Sequence, residues 1–440
     1  MTARQWTVVG LLVLSVVINY VDRANLSLAA PMIQHVLALT PVQLGELLSA
    51  FFWTYALMQM LGIAGWLSDR FPVGWVMLCG YVLWSGATVL TGLVHGFAAL
   101  FAARLLLGFG ESVAYPCYSR IFATLPQENR GRANALIDAG TKLGPATGAF
   151  VGGLLLVHFG WRVLFLALGA GGLLWVLPWM ALMPEPHPVA RGGEPHPVAK
   201  GGDKDGAPDI PHPVARSGDK DGAPRQDLPS IGKLLRLPEA WGAFLGHFCG
   251  NYFFYFLLAW LPNYLSGEEK LGIGAMSRLT SGVFLLIAAS TLLAGGITDK
   301  LIEAGVSTTR VRRAAVVGGL GVASSLMLLL FVHRNLPVSL AVMAVACVGY
   351  GAFASNHWAI AQTLAGPLMA GRWSSVQNGI ANLSGIAAPW VAGMVLQESG
   401  SSRLAFVITG GVAAVGACSW GMLVRRVEPV RWELVDGARG

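Results

Sequence analysis

Charged residues are scarce in this chain of 440 residues, where Asp, Glu, Lys and Arg together make up 12%. Soluble globular domains carry roughly 25%, so the deficit argues against a soluble fold. Cysteine is also scarce: the five cysteines lie in apolar runs and form no C-x-x-C pair, which argues against disulfides and zinc sites. No metal cluster, nucleophile elbow or cofactor motif is found, so the sequence predicts no cofactor and no enzymatic activity.

Apolar residues and glycine are abundant instead. The chain is 54% hydrophobic, with 56 glycines and 15 tryptophans, a composition typical of an integral membrane protein. A membrane-spanning helix needs about 20 mostly apolar residues, and twelve such runs are present. The predicted spans lie near residues 6–29, 43–66, 75–94, 98–121, 133–157, 163–182, 239–262, 277–298, 312–332, 337–364, 373–396 and 404–424.

The first apolar run is not interpreted as a secretory signal, because it continues past a charged pair and many more spans follow. Orientation follows from the basic residues. Arg23, Arg104 and Lys142 lie within spans. If both termini are cytoplasmic, nearly all other Lys and Arg fall on the cytoplasmic side, as the positive-inside rule requires. The net charge of +7 therefore does not indicate nucleic-acid binding.

A segment of different chemistry separates the two sets of six spans. EPHPVARGG (Glu185–Gly193) is followed at once by EPHPVAKGG (Glu194–Gly202). This Pro- and Gly-rich stretch has too little apolar surface to fold, and we interpret it as a cytoplasmic linker. Its spaced histidines leave metal binding as an alternative, but repeat slippage explains them more simply. The predicted organisation is an N-terminal bundle over 1–183, a linker over 184–236, a C-terminal bundle over 237–427 and a cytoplasmic tail over 428–440.

One loop motif occurs twice. GWLSDR (Gly65–Arg70) follows the second span, and GGITDK (Gly295–Lys300) follows the eighth. A repeat at the equivalent point of each half indicates internal duplication. Two parallel six-helix repeats with a site between them are the layout of one class of secondary transporters.

Together, the motifs resemble the major facilitator superfamily. They are the repeated loop, Arg104-x-x-x-Gly108, GTKLGPATGAFVGG (Gly140–Gly153) and FGWR (Phe159–Arg162). Within that superfamily the chain resembles the anion:cation symporter family, whose members carry sugar acids, aromatic acids, sialic acid and glutamate. The residues that carry this resemblance are NYVDRANLSLAAP (Asn19–Pro31), SAFFWTYALMQ (Ser49–Gln59), RLLLGFGESVAYP (Arg104–Pro116) and WLPNYL (Trp260–Leu265).

The resemblance implies an all-α membrane fold of two six-helix bundles related by a pseudo-two-fold axis. It implies proton-coupled symport of a small organic anion by a monomer in the inner membrane. It assigns proton coupling to Asp22 and Glu111. Substrate contacts are assigned to Arg23, Tyr20, Tyr55, Ser355, Trp358 and Asn378. Coupling or gating is assigned to Arg104, Asp69, Arg70 and Asp299.

The chain departs from the family pattern at two places. The family usually continues after this motif with glycine and basic residues. Here the loop after Arg70 reads FPVGW, with Pro72 and no following Arg, which weakens the expected charge latch. In the fifth span, Thr141 stands where galactonate-type carriers have a glutamine, with Lys142 adjacent to it. The substrate is therefore left open among sugar acids, monocarboxylates, dicarboxylates and aromatic acids.

The charged residues in the spans also argue for function directly, because each costs roughly 2.5–3.5 kcal/mol to insert. Asp22 and Arg23 point about 100° apart on a helix, so they address different partners. Arg104 and Glu111 lie two turns apart on one face. Either Arg104 tunes Glu111 as a proton-coupling carboxylate, or a fixed buried ion pair locks this helix to a neighbour.

Three polar or aromatic features of the spans keep more than one interpretation each. Asp138 and Lys142 have the i,i+4 spacing of a direct pair, and either satisfy each other or leave Lys142 to bind an anionic substrate. His357 is a lone helical histidine, either hydrogen-bonded or titrating. YFFYF (Tyr252–Phe256) faces lipid, packs in the core or lines an aromatic-acid site.

Two other functions stay open from the sequence alone. An exporter or anion exchanger would use the same fold. A receptor or membrane enzyme would need a motif or signalling domain that the sequence lacks.

Overall fold

The computed structural model describes residues 1–125, 127–183, 230–331 and 335–432. Within these ranges every regular element is a helix. The N-terminal half contains α1 (Ala3–Val36), α2 (Pro41–Met60), α3 (Ile63–Arg70), α4 (Val73–Leu93), α5 (Phe97–Glu111), α6 (Ala114–Ala123), α7 (Gln127–Leu173) and α8 (Val176–Leu182). The C-terminal half contains α9 (Ile231–Leu234), α10 (Pro238–Gly267), α11 (Ile273–Glu303), α12 (Thr308–Ala323), a 3₁₀ segment (Ser324–Phe331), α13 (Leu336–Ala354), α14 (His357–Asn382), α15 (Ser384–Ser399) and α16 (Ser402–Leu423).

Local sequence explains where several helices begin. Thr2 and Thr40 form capping boxes with Gln5 and Gln43, in which each side chain satisfies a free backbone N–H at the helix start. Pro238 stands in the first turn of α10, where its missing N–H costs no hydrogen bond.

Two glycines break elements that are otherwise continuous. Gly160 has φ 78° within α7, and Gly366 has φ 61° within α14. Side chains other than glycine are strained at such positive φ, so these residues mark turns between spans. Gly160 lies in the FGWR motif, where Arg162 Nη1 donates to the carbonyl groups of Gly92 and Val94 at the end of α4.

The described helices account for the twelve predicted spans. Ten helices are long and apolar enough to cross a membrane, and α2 with α3, bent by 61°, makes an eleventh. One of the ten covers Leu136–Leu182, or 47 residues. At 1.5 Å per residue this is about 70 Å, twice the ~30 Å hydrocarbon core. Divided at Gly160 it gives two spans, which confirms the count of twelve.

The two halves meet in symmetric pairs of helices. α1 packs on α10, α2 on α15 and α7 on α11. The closest contacts lie near the membrane face opposite the termini, where Gly45 packs against the backbone of Pro389 and Gly393. There too Ser281 Oγ donates to the Ala146 carbonyl at 2.8 Å. The halves are therefore closed on the face away from the termini.

Glycines of α7 let it approach α1 closely, as their four-residue spacing predicts. A Cβ added at Gly140, Gly144, Gly148 or Gly152 would meet residues of α1 in each case. Gly144 lies against Tyr20, and Gly148 against Val21. This packing fixes the position of the Asp22–Arg23 segment relative to α7.

Both ends of the predicted C-terminal bundle extend into structured segments. The last residues of the predicted linker form α9, in which Leu234 is buried. After α16, Val430 N donates to the Leu364 carbonyl, and Trp432 Nε1 donates to that of Ala365 at 3.1 Å. The linker repeats themselves lie outside the described residues, and the domain boundaries stay predictions.

Leucine at Gly144 should destabilise the protein by about 1–3 kcal/mol, because the added side chain must force α7 away from Tyr20. The measurement is the midpoint of thermal unfolding in detergent. Gly171→Leu is the matched control, since Gly171 lies on the same helix and faces open space. Equal midpoints for the two variants would contradict this packing.

Candidate transport site

Arg23 is the centre of a buried charge cluster. Its Nε donates to Glu111 Oε2 at 2.9 Å, and the two side chains are 3% and 0% exposed. The bond joins α1 to α5 across 88 positions of sequence. The sequence left two alternatives for Glu111, a coupling carboxylate tuned by Arg104 or an ion pair that locks its helix to a neighbour. Its direct hydrogen bond is to Arg23 of the neighbouring α1, and Arg104 lies within electrostatic reach.

Three aromatic rings surround the Arg23 guanidinium. Its Cζ lies 4.6 Å from the ring centre of Tyr20, 4.5 Å from Phe51 and 4.9 Å from Tyr55. Aromatic faces attract a cation at such distances. Tyr20 and Tyr55, predicted from the resemblance, therefore do lie beside Arg23, and Phe51 joins them.

A small cavity adjoins this cluster between the halves. It is lined by Arg23 and Arg104 from the N-terminal half and by Tyr255 and Pro389 from the C-terminal half. Its volume of ≈ 20 Å³ holds about one water molecule. A pocket for a small organic molecule needs about 300–1,000 Å³, so this cavity is occluded in the present conformation.

Asp22 and Arg104 complete a set of two cations and two carboxylates. Asp22 lies near Thr88 of α4 and within the electrostatic reach of Arg104 and Glu111, so it diverges from Arg23 as predicted. Both Asp22 and Arg104 are buried. Four polar atoms of the set have no hydrogen-bond partner among the described residues. They are Asp22 Oδ1, Arg23 Nη2, Arg104 Nε and Glu111 Oε1.

Unpartnered polar atoms in a dry interior are costly. Arg23 Nη2 belongs to a planar fork that suits a second carboxylate. The arrangement can therefore hold an additional anion and exchange a proton at a carboxylate oxygen.

The C-terminal half contributes a second polar cluster, around two histidines. His247 of α10 and His357 of α14 have ring centres 4.4 Å apart. Trp358 lies 5.0 Å from the first ring and 5.3 Å from the second. His357 is thus not isolated, contrary to the expectation of a lone helical histidine.

Lys142 faces this cluster from the N-terminal half. Its Nζ lies 3.2 Å from Asp138 Oδ1, which confirms the predicted i,i+4 pair, and 2.9 Å from Thr141 Oγ1. The charge of Lys142 acts on both His247 and His357.

The other predicted substrate contacts are dispersed. Asn378 lies on α14 beside Asn382, which accepts a hydrogen bond from Tyr255 OH at 2.9 Å. Ser355 lies beside Gly295 and accepts from Asn356 Nδ2 at 2.7 Å, so the structure does not bring it to Arg23. Both roles stay predictions.

The repeated loop motif forms one ion pair in each half. Asp69 lies 3.4 Å from Arg120, which also donates to the Ser68 carbonyl. Asp299 lies 3.1 Å from Arg312, whose second nitrogen donates to Asn356.

The partners differ because FPVGW puts no arginine at the start of α4, whereas α12 begins with basic residues that include Arg312. In the N-terminal half the partner comes from α6. Arg70 is exposed at the end of α3. Each pair joins elements of a single half.

Sequence reasoning missed Gln377, and for YFFYF it left lipid contact, core packing and an aromatic-acid site open. Gln377 is fully buried between Trp373 and His247. All five residues of YFFYF are buried rather than facing lipid. A glutamine within a predicted span was a signal that could have identified Gln377. The burial of YFFYF could not be predicted, because it depends on neighbours distant in sequence.

The geometry described so far is that of a multi-pass membrane transporter. The sequence matches the model of the Major Facilitator Superfamily over residues 12–389, and the chain belongs to that superfamily. It is 29% identical to a probable galactarate/D-glucarate transporter of Bacillus subtilis (strain 168), over 98% of this chain and 94% of the relative. It is 30% identical to a D-galactonate transporter of Escherichia coli O6:H1, over 97% of each chain.

A solved structure has the same fold. It is a bacterial homologue of the human lysosomal transporter Spinster, with a TM-score of 0.75 at 18% identity, covering 97% of this chain and 98% of that one. These relatives agree with the resemblance drawn from the motifs, and membership of the superfamily makes the protein a membrane transporter rather than an enzyme.

Removing one partner of the Arg23–Glu111 pair should cost more stability than removing both. Glu111→Ala leaves a buried guanidinium without its carboxylate, for an expected loss of about 3–5 kcal/mol. Arg23→Met with Glu111→Leu removes both charges at similar volume and should recover most of that loss. Thermal unfolding in detergent measures the stability of the single and the double variant. A double variant no more stable than Glu111→Ala would contradict the pairing of Arg23 with Glu111.

Proposed function

We propose that the protein is a proton-coupled symporter of a small organic anion. The observation that carries this proposal is the buried hydrogen bond between Arg23 and Glu111. Arg23 has the geometry to bind a substrate carboxylate, but Glu111 already occupies its Nε. A proton on Glu111 weakens that ion pair and frees the guanidinium for the substrate. Proton and anion then bind together.

Charge balance leads to the same coupling. With Asp22, Arg23, Arg104 and Glu111 all ionised, the cluster is neutral. A bound carboxylate adds one negative charge to a buried site, and an uncompensated buried charge costs several kcal/mol. One proton on Glu111 or Asp22 restores neutrality. Each carboxylate group of the substrate therefore favours the binding of one proton. The positive charge of Arg104 influences when that proton is released.

Alternating access follows from the closed face. We assign the face that carries both termini to the cytoplasm, in the inner membrane, since the basic loops lie there. The present conformation is then closed to the outside, with a single chain as the functional unit. Opening to the outside requires the α2–α15 and α7–α11 contacts to separate. The pairs of Asp69 and Asp299, with the neighbouring Arg70, are positioned to rearrange when the cytoplasmic ends approach.

The resemblance and the geometry divide the remaining roles between the halves. Tyr20 and Tyr55 hold Arg23 in place and contact the substrate. Lys142 adds positive charge from α7. Trp358, Asn378 and Ser355 contribute contacts from the C-terminal half. The names of the relatives make sugar acids the first substrates to try.

Glu111→Gln should uncouple transport from protons, because the amide mimics the protonated acid and cannot release its proton. Accumulation of an organic acid in proteoliposomes under an inward proton gradient should fall to the equilibrium level, while exchange of labelled for unlabelled substrate continues. Glu303→Gln, which changes an exposed glutamate at the end of α11, should accumulate normally. Gradient-driven accumulation by Glu111→Gln would refute this role, and wild-type exchange independent of pH would indicate an exchanger.

Arg23→Ala should reduce anion binding by at least about a hundred-fold, because it removes the charged fork from a dry site. Arg23→Lys retains the charge without the fork, and an intermediate loss is expected. Isothermal calorimetry on the purified variants measures both. Binding by Arg23→Ala equal to that of wild type would remove Arg23 from the site.

A further inference from the structure

The junction between α5 and α6 carries one further inference. Glu111 is the last residue of α5, and α6 begins at Ala114. Of the two residues between them, Ser112 has φ −58° and ψ −29°, and Val113 has φ −79° and ψ −14°. These are helical angles. The span therefore continues as a helix, and its hydrogen-bond ladder is interrupted directly after the carboxylate that pairs with Arg23.

A proline causes this interruption. In an α-helix the carbonyl of Ser112 accepts a hydrogen bond from the N–H of residue 116, four positions later. Residue 116 is Pro116, which has no N–H and whose ring crowds the carbonyl four residues before it. Ser112 is 0% exposed, so solvent does not supply the missing donor. A buried carbonyl without a donor is costly.

A glutamine of another helix supplies that donor. Gln59, the penultimate residue of α2, donates from Nε2 to the Ser112 carbonyl at 2.8 Å. Gln59 and Pro116 are the last residues of two stretches that the sequence analysis singled out, SAFFWTYALMQ and RLLLGFGESVAYP. One stretch therefore removes a backbone donor, and the other replaces it with a side chain.

Further contacts hold the Glu111 segment to the same helix. Thr54 Oγ1 of α2 donates to the Leu105 carbonyl of α5 at 2.7 Å. A Cβ added at Gly108 would meet the backbone carbonyl of Phe51 and the hydroxyl of Thr54, so α2 and α5 touch closely there. α2 therefore contacts this span both before Glu111 and directly after it.

The opposite end of α2 forms a contact between the two halves. Gly45, near its start, packs against the backbone of Pro389 on α15. Gln59 binds the backbone next to Glu111 near its end. Roughly 20 Å of one helix separates the two points. A movement of α2 that opens the face away from the termini therefore also displaces the donor that holds the Glu111 segment.

We propose that Gln59 is a positioning residue for Glu111. Its hydrogen bond takes the place of the N–H that Pro116 lacks, and so fixes the backbone from which Glu111 reaches Arg23. The same bond makes Glu111 move with α2 when the halves separate, which links proton binding to the contact on the closed face. This assignment rests on the proposed function, in which Glu111 carries the proton.

Gln59→Met tests the assignment, because it removes the donor at similar volume and frees the Glu111 segment to shift. D-galactonate and D-glucarate are the probes in proteoliposomes. The ratio of accumulation under a proton gradient to exchange should fall at least about five-fold, the lower end of the range for a buried carbonyl that loses its donor. Gln34→Met is the matched control, since Gln34 Nε2 donates to the Leu39 carbonyl at 3.3 Å, and it should keep the wild-type ratio.

Pro116→Ala separates this bond from any other effect at position 59. Alanine restores an N–H at position 116, and the helical angles at Ser112 and Val113 let it reach the Ser112 carbonyl. In the Pro116→Ala background, Gln59→Met should change the ratio by less than about two-fold. Thermal unfolding in detergent should follow the same pattern. Gln59→Met should lower the midpoint in the wild-type chain but not in the Pro116→Ala background.

The results distinguish this assignment from the function on which it rests. A wild-type ratio in Gln59→Met, beside an uncoupled Glu111→Gln, would overturn the positioning role and leave the proposed function intact. Equal losses on Gln59→Met with and without Pro116→Ala would overturn the hydrogen bond as their cause. Wild type that accumulates neither acid would count against both proposals, and the unfolding midpoints would still measure whether Gln59 replaces the missing N–H.

Discussion

A guanidinium buried in the membrane interior requires a carboxylate, and the rest of this structure is organised around that requirement. Arg23 takes Glu111 from another helix and is enclosed by Tyr20, Phe51 and Tyr55. Isolated charges are costly in a low-dielectric interior, so the partner can be changed but not simply removed. In the transport cycle that we propose, a substrate anion bound together with a proton on Glu111 is that replacement.

Close helix packing holds this cluster in place. The glycines of α7 let this helix pack against α1 at Tyr20 and Val21. These two residues directly precede Asp22 and Arg23. On the face away from the termini, Gly45 and Gly393 allow α2 and α15 to touch. This contact relies on the absence of side chains. In the proposed cycle, separating the halves on this face also breaks the hydrogen bond from Ser281 Oγ to the Ala146 carbonyl.

Much of the fold was predictable because the membrane imposes it. Twelve apolar runs, the repeated Asp-containing loop and the charges in the spans are local signals that need no knowledge of neighbours. The divergence of Asp22 and Arg23 and the pairing of Asp138 with Lys142 follow from helix geometry alone, and both are found. The same geometry places Arg104 and Glu111 on one face but does not name the partner of Glu111, which the structure shows to be Arg23 of α1.

The sequence by itself therefore determined which residues are charged, which helix carries them and how they diverge around that helix, since 3.6 residues per turn fix those relations. Only the tertiary structure decided their partners. It brought Glu111 to Arg23, His247 to His357 across 110 positions and Gln377 between Trp373 and His247. These contacts join separate helices, and their existence depends on how whole helices pack, which no local pattern specifies.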